Sequence, residues 1–375
     1  MARVLLVNLQ GVIGGAERSL LLIVKHLRSQ FLISVACPPA SRLSEALASI
    51  GIKCHKLPRP PRYSCLSLSY IVYCLRTSFY LTRTILKARP DIIHANSIYA
   101  WPASVLAAVA TRRKLVLHAR DLANFGPLAK FCSRFSKKVI AVSNAVKDAL
   151  IKQGVNPDKI EVVYNGIDGT CLLPGENEKT PIAQSASEKH SFVFAHVGQL
   201  VPWKNHIAFL KAASHAAPFV PTARFVFIGD DISGRDSAYK RHLLSYVENS
   251  AIAKRISFLG WQEDMNQVWP KINCLVHTTD REPFGRVIIE AMAHKVPVIA
   301  VDACGPSEII QNGRAGILVS AGDIEELTEA MLKVALDAQL AKKLTAAAYD
   351  CVCSDFTADR TATRVRQIYE EVLAT

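Results

Sequence analysis

Apolar positions along this chain follow two alternating periods. Short apolar runs of the kind a strand buried on both faces requires occur at 3–8, 32–37, 92–94, 115–118, 139–141 and 162–163. Between them, apolar residues three and four apart predict helices over 16–29, 41–47, 68–87, 101–110 and 144–153. Strands joined through helices make a parallel sheet covered on both faces. Asn165-Gly166 reads as the turn that closes this series. A second series has strands at 192–197, 223–228, 256–258, 274–277 and 298–300, with helices near 204–215, 236–249, 286–294 and 323–347. Residues 169–190 are rich in Gly, Pro, Ser, Glu and Lys and lack periodicity, which predicts a linker. The segment 356–373 is amphipathic, with Val365, Ile368, Tyr369 and Val372 at helical spacing.

The pattern therefore divides the 375 residues into an α/β domain over 1–168, the linker, a second α/β domain over 191–355, and a terminal helix over 356–375. An apolar content of 50% suits a globular protein with substantial cores. The most apolar region, 66–81, is divided by Arg76 and falls short of a membrane span. Residues 3–8 read as a strand and not as a signal peptide. The ten cysteines lack metal-ligand spacing, so they are expected to be reduced thiols in a cytoplasmic protein.

Charge is divided unevenly. Residues 1–190 hold 26 lysines and arginines against 11 aspartates and glutamates, and the remainder holds 19 against 21. An excess confined to one half points to a local anionic partner. No zinc finger, recognition helix or aromatic-rich basic stretch argues for nucleic acid. Arg59, Arg62, Arg76, Arg83, Lys87 and Arg89 flank Tyr63, Tyr70, Tyr73, Phe79 and Tyr80, which predicts a basic-aromatic surface for an anionic membrane face.

Four stretches carry candidate chemistry. After the first strand, Gly14-Gly15-Ala16-Glu17 opens a helix, bringing backbone amides within reach of a phosphate. His118-Ala119-Arg120-Asp121 ends a strand at the edge where open parallel sheets bind ligands. Gly198-Gln199 leads to Trp203-Lys204-Asn205, where a lysine at a helix start implies a bound anion. In Arg281-Glu282-Pro283-Phe284-Gly285-Arg286, Gly285 permits close backbone approach and a helix N-terminus follows; Glu290 stands eight residues after Glu282.

The Glu282/Glu290 pair in its Pro-Phe-Gly setting, with Pro297-Val298-Ile299-Ala300 and the Gly305-Pro306-Ser307-Glu308 turn, resembles the retaining glycosyltransferases of family 4. That resemblance implies the GT-B fold, two Rossmann-like domains facing each other across a cleft, with the last helix crossing back to the first domain. It implies retaining transfer of a sugar from a UDP- or GDP-linked donor to a hydroxyl acceptor. Glu282 would hold donor hydroxyls, Glu290 the ribose, Lys204 the leaving diphosphate and Gly14-Gly15 the phosphate. Gln199, Phe284, Gly285 and Arg286 would complete the donor site. Gln199 replaces the family's usual arginine, and Asn205 its usual glycine. His118 matches a His-x-x-Asp form ending at Asp121, whose histidine touches the sugar; in the other register Arg120 takes that place. Trp261 either stacks on the base or packs at the domain edge.

No Asp-x-Asp motif lies between strand and loop, so no metal and no cofactor beyond the nucleotide-sugar is expected. The expected acceptor is a lipid-linked or envelope glycan precursor reached from the cytoplasmic membrane face. A soluble small-molecule acceptor, or a non-catalytic nucleotide-sugar-binding protein, are the alternatives. No feature of the sequence specifies an oligomeric state.

Overall fold

The computed structural model describes residues 1–60, 67–169, 191–231, 234, 236–311 and 313–375. The chain forms two compact units, one of Met1–Ile167 with Ala358–Thr375, the other of Asp168–Thr357. Residues 170–190 of the expected linker, and Arg62 and Tyr63 of the expected basic-aromatic surface, lie outside the described residues.

The first unit is built on seven parallel strands: β1 (Arg3–Val7), β2 (Leu32–Cys37), β3 (Lys53–Lys56), β4 (Ile92–Ala95), β5 (Lys114–Ala119), β6 (Lys138–Ala141) and β7 (Ile160–Val162). Their spatial order is β3-β2-β1-β4-β5-β6-β7. The intervening helices are α1 (Gly15–Leu27), α2 (Arg42–Ser49), α3 (Leu68–Ala88), α4 (Trp101–Thr111), α5 (Pro127–Arg134) and α6 (Asn144–Lys152). Strands β1, β4 and β5 are almost wholly buried, which is why they read as apolar runs. Sequence periodicity does not find β3 or α5. Strand β3 reads Lys-Cys-His-Lys, a polar edge strand made by backbone pairing to β2, and α5 (Pro127–Arg134) is a two-turn helix whose buried positions are the small residues Ala129, Cys132 and Ser133.

The second unit has six parallel strands: β8 (Val193–Val197), β9 (Arg224–Ile228), β10 (Ile256–Phe258), β11 (Cys274–His277), β12 (Val298–Val301) and β13 (Ile317–Val319), in the order β10-β9-β8-β11-β12-β13. Its helices are α7 (His206–Ala216), α8 (Ser237–Glu248), α9 (Arg286–Ala293), α10 (Cys304–Ile310), α11 (Ile324–Leu336) and α12 (Ala338–Asp355). Two expectations are corrected. The helix expected over 323–347 is two helices, because the Asp337 carboxylate accepts from the Leu340 amide at 2.9 Å and caps a new start. The turn expected at Gly305-Pro306-Ser307-Glu308 lies inside α10.

The final helix, α13 (Ala358–Ala374), packs into the core of the first unit. Val365, Ile368, Tyr369 and Val372 join Val4, Leu6, Leu20, Val24 and Val116 in one apolar cluster. Polar ties reinforce it: the Ala358 amide donates to Ile167 O at 2.8 Å, and Arg364 Nη2 lies 2.7 Å from Glu161 Oε2.

Strand order reverses between β1 and β4 in the first sheet and between β8 and β11 in the second. Ligands of open parallel sheets bind beyond the carboxyl ends of strands at such reversals. The glycine loop after β1, the Gln199–Lys204 loop after β8 and the Glu282 loop after β11 all leave from those ends.

Candidate functional site

In the second unit, Thr278 begins the loop after β11. Its hydroxyl donates toward Lys204 O at 3.0 Å and Asn205 O at 2.9 Å, and His196 Nε2 lies 3.1 Å from both Thr278 Oγ1 and Lys204 O. These contacts pin the turn at Asn205, which adopts φ +51°, a left-handed conformation that Gly favours and Asn tolerates. The turn sends the Lys204 side chain to Glu282, where ammonium and carboxylate form an ion pair. His277 Nε2 stands 3.4 Å from the same carboxylate, close enough for electrostatic coupling. Burial alone would raise the Glu282 pKa, but the Lys204 ammonium, with His277, holds it well below the usual carboxylate range. Burial lowers the His277 pKa despite that carboxylate, leaving a neutral imidazole beside a fixed anion.

Backbone geometry sets the Glu282 loop. Gly285 sits at φ +102°, and a Cβ there would lie 2.9 Å from Ile288 Cδ1. The Gly305 amide donates to Glu282 O at 3.1 Å. A Cβ at Gly305 would lie 2.4 Å from Phe284 Cα, so only glycine lets α10 lie against the loop. The Phe284 ring is buried and set edge-on to Phe356 at 5.8 Å, anchoring the loop from behind. Arg286 opens α9, and its Nη2 lies 3.2 Å from Glu290 Oε1 one turn along. Glu282, Arg286 and Glu290 thus alternate in charge along one loop and helix, with Lys204 reaching Glu282 from the loop after β8. Gln199 is half-buried in the loop after β8, and Trp261 is half-buried in the loop after β10.

The first unit holds a buried polar network at its own strand ends. Glu17 accepts from the Gly14 amide at 3.0 Å through one oxygen and from Asn8 Nδ2 at 3.2 Å through the other. Asn96 Nδ2 donates to Asn8 Oδ1 at 2.9 Å, and Arg120 Nε donates to Asn96 Oδ1 at 2.9 Å. Arg120 Nη1 also reaches Asn165 Oδ1 at 2.8 Å and Ser19 Oγ at 3.0 Å. The network fixes Gly14, Gly15 and the end of β5 as one rigid edge. Asp121 is half-buried beside it.

His118 does not present its ring there. Its imidazole is 1% exposed, with Nδ1 3.1 Å from His94 Nε2, while His94 Nδ1 lies 2.6 Å from Tyr369 Oη. Burial first, and the Arg120 charge second, push the His118 pKa well below the ordinary histidine value. The ring is thus tied through Nδ1 to a buried chain that reaches α13, while its Nε2 has no hydrogen-bond partner among the described residues. Sequence reasoning also passed over His277, Thr278 and the Asn8–Asn96–Arg120 network. Polar residues at carboxyl ends of buried strands were their available signal.

Among the described residues no group of three or more His, Cys, Asp or Glu is placed to hold a metal ion, and no helix is long and apolar enough to cross a membrane. The chain matches Glycosyltransferase Family 4 over residues 13–170 and Glycosyl transferases group 1 over 177–350. It is 25% identical over 350 residues to the UDP-Gal:alpha-D-GlcNAc-diphosphoundecaprenol alpha-1,3-galactosyltransferase of Escherichia coli, covering 88% of this chain and 87% of that one. It is 26% identical over 317 residues to the N-acetyl-alpha-D-glucosaminyl L-malate synthase of Bacillus anthracis, covering 81% of each. Among solved structures, HepE of Anabaena in complex with UDP and glucose superposes with a TM-score of 0.84 at 25% identity, over 99% of this chain and 100% of that one.

Proposed function

Because this chain belongs to the family 4 glycosyltransferases of GT-B fold and transfers a sugar from a nucleotide-sugar to a hydroxyl acceptor, we propose that it moves a hexose from a UDP-linked donor, with retention, to a small acceptor bearing a carboxylate or phosphate. The observation that carries the donor site is the Lys204–Glu282 ion pair beside the α9 N-terminus. In transfer, the acceptor hydroxyl oxygen bonds to the anomeric carbon as the bond from that carbon to the diphosphate oxygen breaks. The electron pair leaves on the diphosphate, which also takes the acceptor proton. Lys204 neutralises the growing diphosphate charge, and Arg286 supplies a second cation where Gln199 cannot. Glu282 accepts from donor hydroxyls and, as a fixed anion, supports positive charge at the ring. Glu290 accepts from the ribose hydroxyls.

UDP is favoured by the Anabaena complex, whose own ligands are UDP and glucose. For the acceptor, the Bacillus relative's name gives L-malate and the Escherichia coli relative's a diphosphate lipid, both anionic. Arg18 and Arg42, in the first turns of α1 and α2 beside the glycine loop, have no ion-pair partner among the described residues and are suited to such a group. A lipid-linked acceptor is the second reading. A donor screen by ligand-observed binding, followed by product NMR, tests the proposal. UDP-hexose binding and an α-linked product from an α-linked donor are expected; absence of nucleotide diphosphate binding by folded protein, or an inverted linkage, overturns it. Soluble hydroxy acids and sugar phosphates compared with a diphosphate lipid separate the two acceptor readings.

A further inference from the structure

Helix α3 has two opposed faces. Tyr70, Tyr73, Cys74, Thr77, Leu81 and Ile85 are buried in the first unit. Tyr70 Oη donates to Tyr99 O at 2.9 Å and Tyr73 Oη to Pro58 O at 3.3 Å, so these two tyrosines belong to the interior and not to the surface expected from sequence. The outward face instead carries Leu68, Ile71, Val72, Leu75, Phe79 and Leu86, each between 50% and 77% exposed. At 3.6 residues per turn these six fall within an arc of about 100°. Isolated exposed leucines are ordinary, but six large apolar side chains in one stripe mark an interaction face.

Charge accompanies the stripe. Arg76 and Arg83 run along one edge, with their guanidinium groups 6.0 Å from the Tyr80 ring and 5.6 Å from the Phe79 ring. Lys87 and Arg89 stand exposed at its end. Beneath that end lies a cavity of about 370 Å³ between β3 and α3, lined among the described residues by Lys53, Lys56, Arg83 and Lys87 with His55, and by no carboxylate. His55 Nε2 is buried there without a hydrogen-bond partner among the described residues. Neither α3 nor the neighbouring α4 and α5 contains an aspartate or glutamate. A second copy meeting this face symmetrically would bring cation against cation, whereas an anionic lipid surface meets both the charge and the apolar stripe.

We propose that α3 and the β3–α3 cavity form a docking face for an anionic bilayer, the stripe seated at the headgroup–acyl boundary and a lipid phosphate held by Lys53, Lys56, Arg83 and Lys87. Helix α3 then lies flat on the surface along its length of about 30 Å. Its start, near the strand ends of the candidate site, keeps that site beside the membrane, and its far end carries the phosphate cavity. The inference does not rest on the identity of the sugar or acceptor, because none of these residues belongs to the donor or acceptor machinery.

The test is flotation of the full chain with vesicles of phosphatidylcholine alone or with about 30 mol% phosphatidylglycerol, at low and high salt. Two variants accompany it, Leu75→Ser/Phe79→Ser on the stripe and Lys53→Gln/Lys56→Gln at the cavity. Turnover of a soluble acceptor, unchanged in both variants, confirms an intact fold. Expected are binding to anionic vesicles that weakens with salt, a loss of about fivefold for each lysine removed, and near-complete loss in the stripe variant. No binding to either vesicle overturns the proposal, as does equal binding to neutral and anionic vesicles. Self-association of the parent chain that the stripe variant abolishes would assign the face to a second copy instead. Failure of donor binding, with vesicle binding kept, would count against the proposed function and leave this inference standing.

Discussion

Glu282 illustrates how a single carboxylate acquires its properties. Its side chain is mostly buried, yet its pKa is lowered, because Lys204 and His277 outweigh the burial that would raise it. The group is therefore an anion through the whole neutral range, suited to holding hydroxyls and supporting positive charge, not to donating a proton. Glu282→Gln keeps the shape and removes the charge; kcat should fall about 10²–10³-fold, the scale of losing one preorganised electrostatic contact. Lys204→Ala should weaken UDP-sugar binding about 10–100-fold, the scale of a hydrogen bond between charged groups, and lower turnover as well. Calorimetry with UDP and steady-state kinetics check both, and near-parent values in either variant would remove that residue from the site.

The element scale is where glycine and capping residues decide the loops. Helix α10 reaches the Glu282 loop only because Gly305 has no side chain to meet the Phe284 backbone. Gly305→Ala should cost about 1–3 kcal/mol through overpacking, and the displaced Gly305 amide should also release the Glu282 carbonyl and depress activity. Thermal unfolding and turnover measured together check this; a variant with unchanged melting and activity would show that the loop yields freely. Asn205 makes the complementary point. Its left-handed conformation explains why a glycine would serve there, and Asn205→Gly should leave donor affinity within about twofold while a β-branched residue should not.

At the scale of the molecule, the last eighteen residues complete a core begun by the first. Val365, Ile368, Tyr369 and Val372 fill the layer against β1 and α1, and Tyr369 closes the buried chain through His94 to His118. Removal of residues 358–375 should leave the first unit unable to fold while the second retains its protease resistance; limited proteolysis with mass analysis distinguishes the fragments. Acid should act on both units. His94 and His206 are held neutral by burial, with pKa values lowered from 6.5 to about 3, and His118, His196 and His277 are lowered in the same direction. Above pH 6.5 neither folded nor unfolded chain carries these protons, so stability is unaffected. Below it the unfolded chain takes them up first, and stability falls by up to about 1.4 kcal/mol per histidine per pH unit until the folded values are reached. Glu282 adds its own loss below 4.5, as the unfolded carboxylate protonates and the native ion pair does not. Urea midpoints between pH 8 and 4 check the sign; a midpoint that rose on acidification from pH 7 would contradict it.

Periodicity alone determined most of the strands and helices, since a strand buried on both faces must be apolar throughout and a covering helix must repeat every three to four residues. The Glu282/Glu290 pair, Lys204 and the Gly14-Gly15 loop came into view through short motifs and their resemblance to family 4, not through periodicity. Strand β3 escaped because an edge strand is made by its neighbour's backbone, and its side chains carry no apolar pattern. The direction of a side chain was decided only by the tertiary structure. His118 lies in β5 and Arg120 just beyond its end, yet one turns into a relay with His94 while the other joins Asn96 and Asn165. Tyr70 and Phe79 are equally aromatic in sequence, yet one is buried and the other exposed. Such choices depend on which partner waits across the fold, and those partners, Tyr369 for His94 and Tyr99 for Tyr70, come from elements that local sequence does not bring together.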